Sequence, residues 1–308
     1  MFCVPQATSG VLQTIFGSIL KGFLKAGFQE PIQDLAMSAV DSTIEVYEKI
    51  CAEKRATPVK FHYLFNLRDV SKVIQGMLMT RPVSITSPEV FAKLWANEIC
   101  RVFCDRLINQ EDTDWFIEQV MDQLSKNFKS SLELDDLFGE HKVMFADLLK
   151  LDAPIRLYEE IKQKEKLIKQ LSSSLDEYNF SSSNKMNLVF FEDAVLHTLK
   201  IVRTLRQPRG NMMLIGVGGS GKQSLTRLAS YMYDMDYKQI EIVKGYNEKN
   251  FNEFIKDRMF ECGIDGKKVT FAMTDSQILK ESFLEDINNI LNTGEVPNLM
   301  LPEDKDKI

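Results

Sequence analysis

The stretch that most constrains this chain is Gly216-Val217-Gly218-Gly219-Ser220-Gly221-Lys222. It reads G-x-x-x-x-G-K, a pattern that holds phosphate when a strand precedes it and a helix follows. Both flanks predict that setting. Met212-Met213-Leu214-Ile215 is a short apolar run of the kind that forms a buried strand. Leu225, Leu228 and Ala229 fall on one side of the helix expected next. Glycines let the backbone wrap a phosphate with its amides inward, and the helix N-terminus adds a favourable dipole. Lys222 then supplies a point charge for the terminal phosphates. A plain glycine-rich turn is the alternative, and the flanks argue against it.

One position departs from the pattern. The motif expects Ser or Thr after its lysine, with the hydroxyl on magnesium. Here Gln223 stands there and Ser224 comes one residue late. A one-residue shift turns a helical side chain by roughly 100°. Gln223 and Ser224 are therefore both candidates for the magnesium shell, and neither inherits the usual geometry.

Composition removes several classes. The net charge of -6 over 308 residues, without a long basic run, argues against nucleic acid as the main partner. No uncharged apolar stretch is long enough for a membrane span, and Met1-Phe2-Cys3-Val4-Pro5 does not read as a signal sequence, so none is expected. The five cysteines form no C-x-x-C pair. Cys100 and Cys104 could share a helix face, but with no histidine nearby they read as packing residues. A reducing, cytosolic setting is expected.

The first half reads as helices. Apolar pairs recur from residue 11 to residue 24, a second pattern opens at Pro31, and a third spans Leu67 to Met79. Ser87-Pro88-Glu89 caps a fourth, and Asp114 to Phe128 is a fifth. The charged run from Ile155 to Leu171 reads as a solvated helix face. Ser172-Ser173-Ser174 and Ser181-Ser182-Ser183 are expected to bracket a linker. A helix at 191–206 follows. Beyond the phosphate loop the pattern alternates: a strand at Gln239–Val243, a helix at Phe251–Cys262, a strand at Lys268–Thr274, a helix at Glu281–Leu291. Alternation predicts a parallel sheet, and with about three strands visible the domain is expected to be cut short.

Val269 to Thr274 is an apolar strand that ends in Asp275, where phosphate-loop proteins keep a carboxylate for the magnesium shell. Hydrolysing members of the additional-strand class usually place Glu next, to activate water. This chain has Ser276. A missing general base costs ~100- to 10,000-fold in rate. Glu281 and Glu285, further on, are the alternatives for that role.

These residues resemble the ring of the dynein heavy chain. Gly216 to Leu225 is similar to the phosphate loop of its fourth AAA+ module, in the axonemal form. Met186-Asn187-Leu188-Val189-Phe190-Phe191-Glu192-Asp193-Ala194 resembles that module's opening segment, where an apolar pair packs the adenine. Thr274 to Ile278, Phe283 to Asn289 and Gly294 to Leu299 resemble its second motif with the helix and loop behind it. Phe65-Asn66-Leu67-Arg68-Asp69 looks like the lid of the third module, and Trp95-Ala96-Asn97-Glu98 through Leu107 like the connection between modules.

The resemblance implies an α/β fold: a truncated P-loop AAA+ domain with a parallel sheet, preceded by an all-helical lid and connecting region. The expected divisions are 1–80 for the lid region of the preceding module, 81–184 for a helical connection with the Ser-rich linker, and 185–308 for the N-terminal part of the nucleotide-binding domain. It implies ATP or ADP as ligand, with Mg2+. Gly216 to Ser224 would hold phosphates, Leu188 and Val189 would flank adenine, and Asp275 would support the metal with Gln223 or Ser224. Arg68 would be a second-sensor arginine for the third module's nucleotide. That module's phosphate loop would lie before Met1, and the fourth module's lid after Ile308. No catalytic residue is assigned. The partners implied are neighbouring AAA+ modules of the same heavy chain. Intermediate chains, light chains and microtubules enter only through the full motor, in the cytoplasm, cytoskeleton and ciliary axoneme. Two rivals stay open: a free-standing P-loop ATPase with an unusual base, and a helical scaffold with a vestigial site.

Overall fold

The structure, a computed structural model, describes residues 7–139 and 142–307. Cys3 and the Met1–Pro5 stretch lie outside them. The chain divides between Lys164 and Glu165 into two units.

The first unit is built from helices. These are α1 (Ser9–Leu24), α2 (Glu30–Gln33), α3 (Ala36–Glu53), α4 (Leu67–Met77), α5 (Pro88–Val102), α6 (Gln110–Lys126) and the short α7 (Leu134–Phe138). Their apolar stripes face one core. Leu20, Ile32, Ile50, Val73, Trp95 and Phe116 have no measurable exposure there or nearly none. Cys51, Cys100 and Cys104 pack at its margin as free thiols. Trp95 buries its ring completely because its Nε1 finds a partner, donating to Thr43 Oγ1 at 2.9 Å. α5 starts where the sequence predicts: Ser87 Oγ accepts from Val90 N at 3.3 Å and Pro88 occupies the first turn. The pattern opened by Pro31 is two helices rather than one, parted by a turn at Asp34–Leu35.

The connecting region is not helical throughout. β1 (Phe145–Ala146) and β2 (Glu159–Glu160) form an antiparallel pair, with Phe145 opposite Glu160. The charged run expected as a helix from Ile155 is extended there. Tyr158 is the reason. It is buried, and its hydroxyl donates to the buried Glu98 at 2.7 Å, which draws the chain straight across α5.

Helix α8 (Lys164–Ser181) begins at the boundary and corrects the expected linker. Ser172, Ser173 and Ser174 sit inside it. Leu167, Leu171 and Leu175 recur every fourth residue and are buried, so the helix has an apolar stripe to anchor it. Ser172 Oγ bonds back to Ile168 O at 2.9 Å, which removes the hydroxyl's competition for the backbone.

The second unit continues with α9 (Glu192–Arg206), α10 (Lys222–Met232), β3 (Asp236–Gln239), α11 (Glu248–Gly263), β4 (Val269–Ala272), α12 (Glu281–Asn292) and α13 (Pro302–Lys305). β3 and β4 are parallel, Asp236 opposite Val269 and Gln239 opposite Ala272, with α11 as the crossover. Phe251 of α11 and Phe283 of α12 stack at 4.2 Å between centroids and centre a small core with Ile240, Tyr246 and Ile255.

Two strand expectations need correction. The strand expected at Gln239–Val243 ends at Gln239, because the Gln277 side chain takes Ile240 O and lifts the chain off the ladder. The run Met212–Ile215 is not a strand. Neither β3 nor β4 pairs with it, and Met213 and Ile215 are 80% and 88% exposed. An apolar run becomes a buried strand only when a neighbour satisfies its amides. Among the described residues, no helix is long and apolar enough to cross a membrane.

Candidate functional site

The glycine loop of the second unit closes on its own lysine. Lys222 Nζ donates to Gly216 O at 2.6 Å, Val217 O at 2.7 Å and Ser220 Oγ at 3.0 Å. All three of its donors are used. Gly219 and Gly221 both have φ of +78°, a left-handed conformation that penalises any side chain. Gly221 is also the residue from which α10 starts, with Leu225 N on Gly221 O at 2.8 Å. Gly216 needs its hydrogen for another reason. A Cβ there would stand 3.2 Å from Ser220 Oγ and 3.6 Å from Lys222 Nζ. Gly218 and Val217 lie on the open crest of the loop.

Gln223 is exposed and Ser224 half-buried on the first turn of α10. Thr226 is occupied elsewhere, its Oγ1 on Lys222 O at 2.8 Å. The other half of the expected metal site is the turn that follows β4. Thr274 N donates to Gln277 Oε1 at 2.8 Å and Gln277 N to Thr274 O at 2.9 Å, a reciprocal cap. Asp275 projects from this turn, exposed. Ser276 Oγ lies 3.1 Å from Thr274 Oγ1. No hydrogen bond or ion pair joins Asp275 to Lys222, Gln223 or Ser224 among the described residues.

Gln277 is what holds the turn. It is 2% exposed, it bonds Ile240 O, and its own carbonyl accepts from Tyr246 Oη at 3.2 Å. Burial raises the Tyr246 hydroxyl's pKa, so it stays a donor. Sequence reasoning assigned Gln277 no role; the signal was a polar residue two positions after the Asp expected to end the strand. Asn179 was missed as well. Its side chain bonds Met186 in both directions, at 2.7 and 2.8 Å, and fixes the opening segment to α8. An Asn near a helix end reads equally well as a solvent-facing residue. Of the expected adenine pair, Leu188 is half-buried and Val189 76% exposed.

Arg68 is in the first unit. It is exposed on the first turn of α4, whose head is capped by Asn66 Oδ1 accepting from Arg68 N at 2.9 Å.

The donors suit phosphate. Left-handed glycines, an 11-residue helix behind them and a lysine form a cradle for an anion. For a metal, Ser224, Gln223 and Asp275 offer hard oxygens but only one carboxylate. No group of acidic, His or Cys side chains among the described residues makes an all-protein cage. That donor set fits magnesium carried with phosphate oxygens, the usual mode for that ion.

A backbone that wraps a lysine at the head of a helix marks the P-loop nucleotide-binding class. Comparison with known proteins agrees and is finer. Residues 186–308 match the family described as P-loop containing dynein motor region D4, and residues 39–138 match the AAA+ lid domain. Dynein axonemal heavy chain 6 of Homo sapiens is 40% identical over 310 residues, covering 100% of this chain and 7% of that protein. Dynein axonemal heavy chain 1 of Mus musculus is 40% identical over 277 residues, covering 90% of this chain and 6% of that protein. The Dynein-1-beta heavy chain, flagellar inner arm I1 complex, of Chlamydomonas reinhardtii is 37% identical over 304 residues, 98% of this chain and 7% of its own length. The chain belongs to the axonemal dynein heavy chain family. It spans about 7% of the length of these relatives.

Proposed function

We propose that the second unit binds ATP or ADP and acts as a regulatory site of a ciliary motor rather than as its source of power. Lys222 and the amides from Val217 to Ser224 would hold the phosphates. Leu188 and Val189 would flank adenine, and Asp275 with Ser224 or Gln223 would support magnesium. Residues 1–80 would be the lid of the preceding module, 81–184 the connection, and 185–308 the nucleotide-binding part. Arg68 would serve the preceding module's nucleotide.

The observation that carries the regulatory reading is Ser276. It stands where a water-activating carboxylate is needed, and its hydroxyl lies against Thr274 Oγ1. A site that binds without fast turnover biases the conformations of its neighbours by its differential affinity for them. The partners would be adjacent AAA+ modules; intermediate and light chains and microtubules would be reached only through the full-length motor.

The test is equilibrium binding of a fluorescent ATP analogue, with and without magnesium, against Lys222→Ala, with thermal melting to verify folding. Binding that depends on Lys222 with negligible turnover is the expected result. Fast magnesium-dependent turnover at this site, with the other sites silenced, would sink the regulatory reading.

A further inference from the structure

Between α3 and α4 the chain runs from Lys54 to Asn66 with almost no regular structure, yet one side of it is fastened down. Lys54 and Lys60 pair with Asp112 at 2.8 and 2.5 Å. Tyr63 Oη donates to the same carboxylate at 2.9 Å and accepts from Ile108 N at 3.0 Å. His62 Nε2 meets Arg106 O at 3.1 Å. Arg106 closes the far end. Its Nη1 pairs with Asp69 at 2.9 Å, its Nη2 donates to Leu64 O at 2.6 Å, and its plane lies over the Phe65 ring at 4.7 Å.

Asp69 is 3% exposed and also caps α4 by accepting from Asn66 N at 3.0 Å. One carboxylate and one guanidinium thus fix the backbone on both sides of the Leu67-Arg68 pair. The other side of the same stretch points outward: Val59, Phe61 and Leu64 are 79%, 72% and 65% exposed, and Arg68 is exposed beside them. A long arginine carries large rotamer freedom, so what the fold can set in advance is the direction of the backbone that carries it.

We propose that Arg106, acting through Asp69 and the Leu64 carbonyl, is the positioning residue for Arg68. It fixes the head of α4 so that the Arg68 guanidinium is presented at one angle to an anionic ligand. This rests on the reading that Arg68 serves the preceding module's nucleotide.

The experiment uses the full heavy chain, with the phosphate-loop lysines of all other modules replaced, Lys222→Ala among them. Affinity for a fluorescent ADP analogue is then read at the preceding module alone. Arg68→Ala is expected to weaken it about tenfold, the worth of one hydrogen bond to a charged group. Arg106→Ala should do the same, and the double variant should be no weaker than Arg68→Ala, because a group that acts only through Arg68 is silent without it. Arg106→Lys keeps a charge for Asp69 but loses the fork, and should fall between. Asp112→Asn loosens the loop at its other anchor and controls for general destabilisation: it should lower the melting temperature and leave the affinity unchanged. Additive losses in the double variant overturn the proposal, as does an Asp112→Asn loss equal to that of Arg106→Ala. Unchanged affinity in Arg106→Ala beside a weakened Arg68→Ala also overturns it. Unchanged affinity in Arg68→Ala removes the underlying reading of Arg68, and the proposal with it.

Discussion

Lys222 is held by three oxygens of its own loop before any phosphate arrives. An incoming phosphate must compete with two neutral carbonyls and a hydroxyl, and a charged acceptor wins that competition because charge-assisted bonds are about twice as strong. Lys222→Ala is therefore expected to weaken nucleotide about 100-fold, measured by equilibrium fluorescence, without moving the melting temperature. Gly221→Ala is expected to weaken nucleotide and stability together. Its φ of +78° costs a side chain about 1 kcal/mol, read as a lower midpoint in urea, and a relaxed backbone there would turn the loop amides away from the phosphate. Both residues were legible in the motif, since phosphate chemistry dictates glycines and a lysine at that spacing. Gln277 was not. Its importance comes from Ile240 O and Tyr246 Oη, which only the folded chain brings to it.

At the scale of elements, the helices were the legible part. α5 follows from a serine, a proline and an apolar stripe, all local in the sequence. The strands were legible only in part: β4 falls inside the expected Lys268–Thr274, but a strand is a property of a pair and the other two expectations missed. Met212–Ile215 has the composition of one and lacks the ladder; β3 has the ladder where Asp236 and Lys238 make it look polar. The loop before α4 was equally hidden, being tied by tertiary ion pairs. Those ties have a pH signature. Burial pushes the Asp112 carboxyl up, but hydrogen bonds from Lys54, Lys60 and Tyr63 outweigh it and hold the group at about 2, against 3.8 unperturbed. A depressed carboxylate stabilises the fold above its unfolded value and loses that contribution as pH falls through the folded one. Stability of the first unit should decline between about pH 4 and pH 2, and Asp112→Asn should flatten that part of the profile. At neutral pH the same variant should cost about 2 kcal/mol in urea unfolding, since it leaves two lysines without their shared carboxylate.

At the scale of the whole molecule, the two units differ in how much apolar surface they leave open. The first has one large core. The second leaves Val189, Phe191, Met213, Ile215, Val217 and Val243 more than half exposed. The second unit, expressed as this chain, is expected to bind a hydrophobic dye, and amide exchange across 211–217 should be far faster than in α3 or α5. Slow exchange at 211–217 would show that the run does find a ladder partner.

The parallel pairing of β3 with β4 has a last consequence, and it concerns time. Partners such as Asp236 and Val269 lie on opposite sides of α11 along the chain. Helices such as α4 and α5 meet across a short connection. Rates of folding follow the sequence distance that contacts must close. On a ribosome the first unit emerges first, and that order rather than short closures gives it the lead, since Trp95 reaches back 52 residues to Thr43 and Asn127 reaches back 85 to Ser42. The first unit should be protected from pulse-labelled exchange while β3 and β4 are still searching for each other.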